Sequence, residues 1–139
     1  MNVSQRRLLV SDVMTEDPIL ASIDLPLSEA ARLMDFYRIS GLPVVDWTGA
    51  LVGVISQTDL LHARATQEWW DRWPGLTVRH LMTQPALSVD QDASLDDAVA
   101  LLERHGVHRL VVVDADGAPV GVLSTSDLIR NIAEETEDV

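Results

Sequence analysis

The stretch Gly53-Val54-Ile55-Ser56-Gln57-Thr58-Asp59-Leu60 returns 68 residues later as Gly121-Val122-Leu123-Ser124-Thr125-Ser126-Asp127-Leu128. Extending the match outward without a gap lays Ile39–Leu61 on Val107–Ile129, with 12 of 23 positions identical. Ordinary residue usage gives roughly one or two such identities by chance. Further upstream, Met14-Thr15 falls on Met82-Thr83, Leu27 on Leu95, Ala30 on Ala98 and Leu33 on Leu101. The chain is therefore a duplicated unit, and a repeat found first governs every later reading of the fold.

Each copy has the same grammar. A short turn or helix ends in Met-Thr, and a brief strand follows (Ile19–Ser22; Leu87–Val89). Next, apolar residues recur at i, i+3, i+4 and i+7 (Leu27, Ala30, Ala31, Met34; Leu95, Ala98, Val99, Leu102), the spacing of one helix face. Pro26 suits the start of the first helix and Gly106 the end of the second. Two apolar strands come next, joined by Asp46-Trp47-Thr48-Gly49 or Asp114-Ala115-Asp116-Gly117, which are hairpin turns by composition. A closing helix starts near Ser56 or Ser124. The expected fold class is α+β: two pseudo-symmetric repeats (short strand, helix, two strands, helix) packed sheet to sheet, with a cleft on either side of the pseudo-axis. The expected boundaries are 8–64 and 80–133 for the repeats, 65–79 for a linker with Trp69, Trp70 and Trp73, and 134–139 for an acidic tail. The Trp cluster has two readings: rings folded onto their own domain, or an interface anchor.

Composition removes whole classes of chemistry. All 10 cations of the 139-residue chain are Arg, and there is neither Lys nor Cys. Schiff-base, P-loop Lys, thiolate, disulfide and Cys-ligated metal chemistries are excluded with them. With 22 acids the net charge is −12, which argues against nucleic acid and anionic lipid as partners. The N-terminal residues lead into only three apolar ones, Leu8 to Val10, and no run of 18 apolar residues occurs. The expected location is the cytoplasm, with no membrane association. No pair of His residues at ligand spacing suggests a metal, and Asp114–Gly117 lacks the rest of a calcium loop.

The conserved chemistry of the duplication sits in Ser56-Gln57-Thr58-Asp59 and Ser124-Thr125-Ser126-Asp127. Ser at the helix start with Asp three residues on is a capping-box variant. A carboxylate there also offers acceptor oxygens that match the two donors of a ribose cis-diol, and a helix N-terminus favours an anion.

Taken together, Met-Thr, the amphipathic helix, Leu-Pro-Val-Val-Asp and Gly-Val-Ile-Ser-x-Thr-Asp-Leu resemble a tandem pair of cystathionine-β-synthase-type (CBS) domains, a Bateman module. The resemblance covers about residues 8–133, except the Trp-rich linker. It implies a stand-alone regulatory module, not an enzyme and with no required cofactor, that binds AMP, ADP, ATP, S-adenosylmethionine or NAD between its repeats. Residue by residue, it assigns ribose and adenosine contacts to Asp59, Asp127, Ser56, Thr58, Ser124, Ser126, Thr15 and Thr83, with Ile19 and Leu87 near the adenine. The run His108-Arg109-Leu110-Val111-Val112-Val113-Asp114 resembles the AMP-activated protein kinase gamma subunits, in which the matching His and Arg approach phosphate. Arg and His are suited to that role. Repeat one has Ser40-Gly41 there, so unequal clefts are expected. The scarcity of cations favours nucleosides, monophosphates or S-adenosylmethionine over polyphosphates. The family also implies a homodimer and an effector protein whose identity the residues do not give. The alternative is a ligand-free CBS protein with a structural or docking role; an enzyme with an unrecognised site is the remaining possibility.

Overall fold

In a computed structural model, residues 7–137 are described. The chain divides into two compact units that do not follow its linear order: of the described residues, one takes 7–18 with 87–137, and the other takes 19–86.

The unit of residues 19–86 is built around a crossover. Strand β2 (Ala21–Ser22) leads through helix α2 (Leu27–Tyr37) into β3 (Gly41–Val45), which runs parallel to β2. A tight turn then reverses the chain into β4 (Leu51–Ser56), antiparallel to β3. Helices α3 (Gln57–Ala65) and α4 (Gln67–Arg72), a 3-10 turn over Trp73–Gly75 and helix α5 (Val78–Leu81) complete it. The apolar stripe of α2 does what its spacing predicts: Leu27, Ala30 and Met34 are buried against Leu42, Val44 and Ile55 of the hairpin. Leu76 and Val78 enter the same core from beyond the Trp cluster.

The second unit repeats this plan. Strand β5 (Ser88–Asp90), helix α6 (Leu95–His105), the hairpin β6 (Arg109–Val113) and β7 (Pro119–Ser124), and helix α7 (Thr125–Glu137) follow in order. β5 is parallel to β6, and β6 is antiparallel to β7. Even the irregularity recurs, between Val44 and Val45 in one hairpin and between Val112 and Val113 in the other. The acidic stretch read as a tail is helical through Glu137, and its last two residues lie outside the described range.

The element that closes each sheet comes from the neighbouring part of the chain. Helix α1 (Val10–Val13) and strand β1 (Thr15–Glu16) open repeat one, yet β1 pairs with β7 of repeat two and Val10 is buried with Val89, Ala98, Leu110 and Leu123. In the other unit Thr83 pairs with Val54 of β4, exchanging two backbone bonds of 2.8 and 3.1 Å, and Val78 plays the part of Val10. Glycine makes this closure possible. A Cβ on Gly53 would lie 2.8 Å from the Thr83 carbonyl oxygen, and one on Gly121 would lie 2.8 Å from that of Thr15. Repeat boundaries set by duplication and compact units set by packing are thus two different partitions of one chain.

The linker rings are folded onto their own unit: Trp69 and Trp73 pack against the core that holds Leu76 and Val78. Trp70 stacks on Trp73 at 5.3 Å between centroids, and the Arg64 guanidinium lies 4.2 Å from its ring centre. Trp70 keeps part of its ring exposed, and the most exposed Trp lies elsewhere: Trp47, in the β3–β4 turn, is 91% exposed.

Candidate functional site

Where a strand hands over to a helix, the first amides of the helix lack partners within it. Both repeats solve this with the same two residues. In repeat one, the Asp59 N–H donates to Ser56 Oγ at 3.1 Å, and the Ser56 N–H donates to Asp59 Oδ2 at 2.9 Å. In repeat two, the Asp127 N–H donates to Ser124 Oγ at 3.2 Å, and the Ser124 N–H donates to Asp127 Oδ2 at 2.9 Å. This is the reciprocal capping box that the spacing predicts.

The Met-Thr segments bring a third residue to each turn. Thr15 Oγ1 donates to Asp127 Oδ1 at 3.0 Å across 112 positions of sequence. Thr83 lies over the other turn, with its Oγ1 3.4 and 3.5 Å from the two Asp59 oxygens. The structure therefore gathers Ser56, Asp59 and Thr83 in one cluster and Ser124, Asp127 and Thr15 in another. Thr58 and Ser126 stand on the exposed side of the first helical turn, and among the described residues neither hydroxyl bonds to the Asp carboxylates.

The carboxylates differ in surroundings. Asp127 is 5% exposed, the one buried polar residue of the described core, whereas Asp59 is half-buried. Asp127 receives two further bonds: Ser124 Oγ–H donates to Oδ2 at 3.0 Å, and Arg130 Nη1–H donates to Oδ1 at 3.3 Å. Arg130 was not among the residues singled out from the sequence. Its signal was available as an Asp-x-x-Arg pair at helical i, i+3 spacing, with His62 at the matching place in repeat one.

His108 and Arg109 are both exposed at the start of β6, and Arg109 stands opposite Ser124 in the β6–β7 register. The His108 carbonyl accepts the Thr125 N–H at 2.9 Å, and the Ser40 carbonyl accepts the Gln57 N–H at 2.8 Å in repeat one. This backbone bond and the strand register are the same at both places, and the side chains His108-Arg109 and Ser40-Gly41 differ. Ile19 and Leu87 are partly buried, each against the core of its own unit.

A carboxylate outside these clusters is perturbed. In the β3–β4 turn Asp46 is held below the usual carboxylate range, first by the Thr48 hydroxyl and then by the Thr48 amide. The matching Asp114 closes its turn with the amides of Asp116 and Ala118 at 2.9 and 3.0 Å. Both are Asx-type turns that position the hairpins. Among the described residues no group of three His, Asp or Glu side chains is placed to hold a metal, and no helix is long and apolar enough to cross a membrane.

Comparison with known proteins bears on this geometry. A model of the CBS domain matches residues 10–66 and again 78–134. The chain is similar to the CBS-pair protein CBSX2 from Arabidopsis thaliana, at 30% identity and a TM-score of 0.83 over 96% of this chain and all of that one. A structure of CBSX2 in complex with AMP aligns at 31% identity and a TM-score of 0.80, over 92% of this chain and 98% of that one. The CBS domain pair of protein MJ0100, in complex with 5′-methylthioadenosine and S-adenosyl-L-methionine, aligns at 27% identity and a TM-score of 0.79, over 94% of this chain and 99% of that one. Inosine-5′-monophosphate dehydrogenase of Nitrosopumilus maritimus is 31% identical over 119 residues, 86% of this chain. The chain spans only 23% of the length of that enzyme.

Proposed function

Since the chain belongs to the CBS domain family, we propose that it is a regulatory module that binds an adenosine-containing ligand and passes its occupancy to a partner protein or to its own self-association. The observation that carries this reading is the duplicated Ser–Asp–Thr cluster at a strand-to-helix turn. A carboxylate held by a backbone amide keeps a fixed orientation, and its remaining lone pairs suit the paired hydroxyls of a ribose. The resemblance of the fold to pairs solved with AMP, 5′-methylthioadenosine and S-adenosyl-L-methionine supports the ligand class.

In this reading Asp59 and Asp127 are the ribose acceptors of their turns, and Ser56, Ser124, Thr83 and Thr15 are positioning residues. Thr58 and Ser126 face outward, where they can meet a ligand hydroxyl or phosphate. His108 and Arg109 stand at the turn of Asp127 and supply the phosphate contact of a ligand bound there; repeat one has no such pair, so a ligand at the turn of Asp59 is held without it. A net charge of −12 with few cations near the turns favours AMP-like ligands, nucleosides or S-adenosylmethionine over polyphosphates. We assign no turnover to the chain. The catalytic name of the dehydrogenase relative belongs to a protein of which this chain matches 23%.

Output by self-association has its own support. Leu61 on α3 and Ile129 on α7 occupy matching positions and are 68% and 65% exposed, and Ile132 follows Ile129 on the same helix. Apolar side chains repeated on matching helices suit a homodimer. The same residues favour, as a second reading, a docking protein that works without ligand.

Native mass spectrometry of the purified chain separates the two. The proposal expects a co-purified or added adenosine compound on the chain, with oligomer mass or partner affinity responding to it. It also expects AMP to raise the melting temperature at millimolar concentration. An oligomer indifferent to every adenosine ligand, with no melting shift, supports the docking reading. ATP binding far above AMP, at matched salt and without metal, contradicts the preference for few phosphates.

A further inference from the structure

We infer that the two turns are unequal acceptors, and that Arg130 reserves ligand binding for the turn of Asp59. The inference rests on the reading above, in which the carboxylate at this position takes the ribose hydroxyls.

The argument is a count of lone pairs. An ionised carboxylate has about four acceptor sites, two on each oxygen. At Asp127 four donors fill them: the Ser124 amide and hydroxyl on Oδ2, and the Thr15 hydroxyl and Arg130 guanidinium on Oδ1. Asp59 receives one short bond, from the Ser56 amide, and one long contact that Thr83 divides between its two oxygens. A cis-diol brings two donors. At Asp59 it finds unfilled lone pairs on a half-buried group. At Asp127 it must displace two donors from a group that is 5% exposed, so the exchange gains few net hydrogen bonds. One of the donors at risk, Thr15, belongs to β1, and its loss would weaken the hold on that strand.

Arg130 is the part of this arrangement that has no counterpart. Thr15 corresponds to Thr83 and Ser124 to Ser56, but the position of Arg130 is His62 in repeat one. Among the described residues, His62 makes no bond to the Asp59 side chain. Arg130 thus acts as a positioning residue that fills and orients the Asp127 carboxylate.

The test is calorimetry on the full chain, with AMP and 2′-deoxy-AMP as probes, on wild type, Asp59→Asn, Asp127→Asn and Arg130→His. In wild type, AMP should bind once per chain and about tenfold more tightly than 2′-deoxy-AMP, the value of one charge-assisted hydrogen bond. Asp59→Asn should weaken AMP by about tenfold or more and abolish that discrimination; Asp127→Asn should change affinity by less than about threefold. Arg130→His should add a second binding event that also discriminates against 2′-deoxy-AMP. Loss of binding in Asp127→Asn with retention in Asp59→Asn would overturn the inference and leave the ribose reading standing. AMP binding unchanged in both Asn variants would overturn the ribose reading itself. An unchanged stoichiometry in Arg130→His would remove its assigned role, and this arm stands even where Asp127→Asn fails to fold.

Discussion

The turn at Ser56–Asp59 and the turn at Ser124–Asp127 share backbone, capping box and a threonine delivered from another part of the chain. They differ in how far the carboxylate has been used up. In one the Asp is half-buried with lone pairs to spare; in the other it is buried and saturated by Thr15, Ser124 and Arg130. A duplication preserves what the fold requires at both places and leaves the surroundings free to diverge. The shared features are those of helix initiation and sheet closure, and the unshared ones decide which turn is available to a ligand.

The largest effect should come from breaking the shared part. Gly53→Ala and Gly121→Ala each place a Cβ 2.8 Å from a carbonyl oxygen of the docked Met-Thr segment. Each should destabilise the chain by about 1–3 kcal/mol, as overpacking does, in urea or thermal unfolding. Equal costs support the same closure in both units, and a cost in one alone would mean that the two segments are held differently.

This closure also marks the limit of what the sequence could say. The duplication, the amphipathic stripe of α2 and α6, the hairpin turns and the Ser–Asp caps were all legible, because each depends on local spacing. The origin of the closing segment was not. Val10 and Val78, Met14 and Met82, Thr15 and Thr83 are matched pairs, so either Met-Thr segment is chemically fit for either sheet. Hydrophobic periodicity says that Val10 is buried and is silent on which strands bury it. The site residues were legible as types. That Thr15 would meet Asp127, rather than Asp59 nearer in sequence, follows from packing, and so does the saturation of Asp127. Trp followed the same rule: three clustered rings stand out in the sequence, two of them pack on their own core, and the most exposed Trp, Trp47, stands alone in a turn.

A smaller effect sharpens the comparison at the helix ends. α2 ends on Arg38 at φ 56°, in the left-handed region, and α6 ends on Gly106 at φ 61°. The left-handed conformation strains a residue with a Cβ, and glycine adopts it freely. Gly106→Ala should cost about 1 kcal/mol, and Arg38→Gly should stabilise by about 0.5 kcal/mol after the added freedom of glycine in the unfolded chain is subtracted. Thermal melts of the two variants check this, and a loss of stability in Arg38→Gly would show that its side chain has another role.

The smallest effect is a pH dependence confined to one hairpin. Thr48 lowers the Asp46 value in the folded chain, so the ionised form is the one that folding favours. Its contribution is present above the unfolded carboxylate value and is lost as pH falls through the lowered folded value. Carboxyl NMR titration should place Asp46 below the ordinary range, and Thr48→Val should return it most of the way. A titration unmoved by Thr48→Val would assign the shift to the backbone amides.

The central claim, that the chain takes an adenosine ligand at the Asp59 turn, is tested most directly by amide NMR of the wild-type chain during an AMP titration. The account predicts that the largest shifts fall on Ser56, Asp59 and Thr83, with Ser124 and Asp127 nearly still. Shifts centred on Ser124 and Asp127, or a spectrum that AMP does not move, would contradict it.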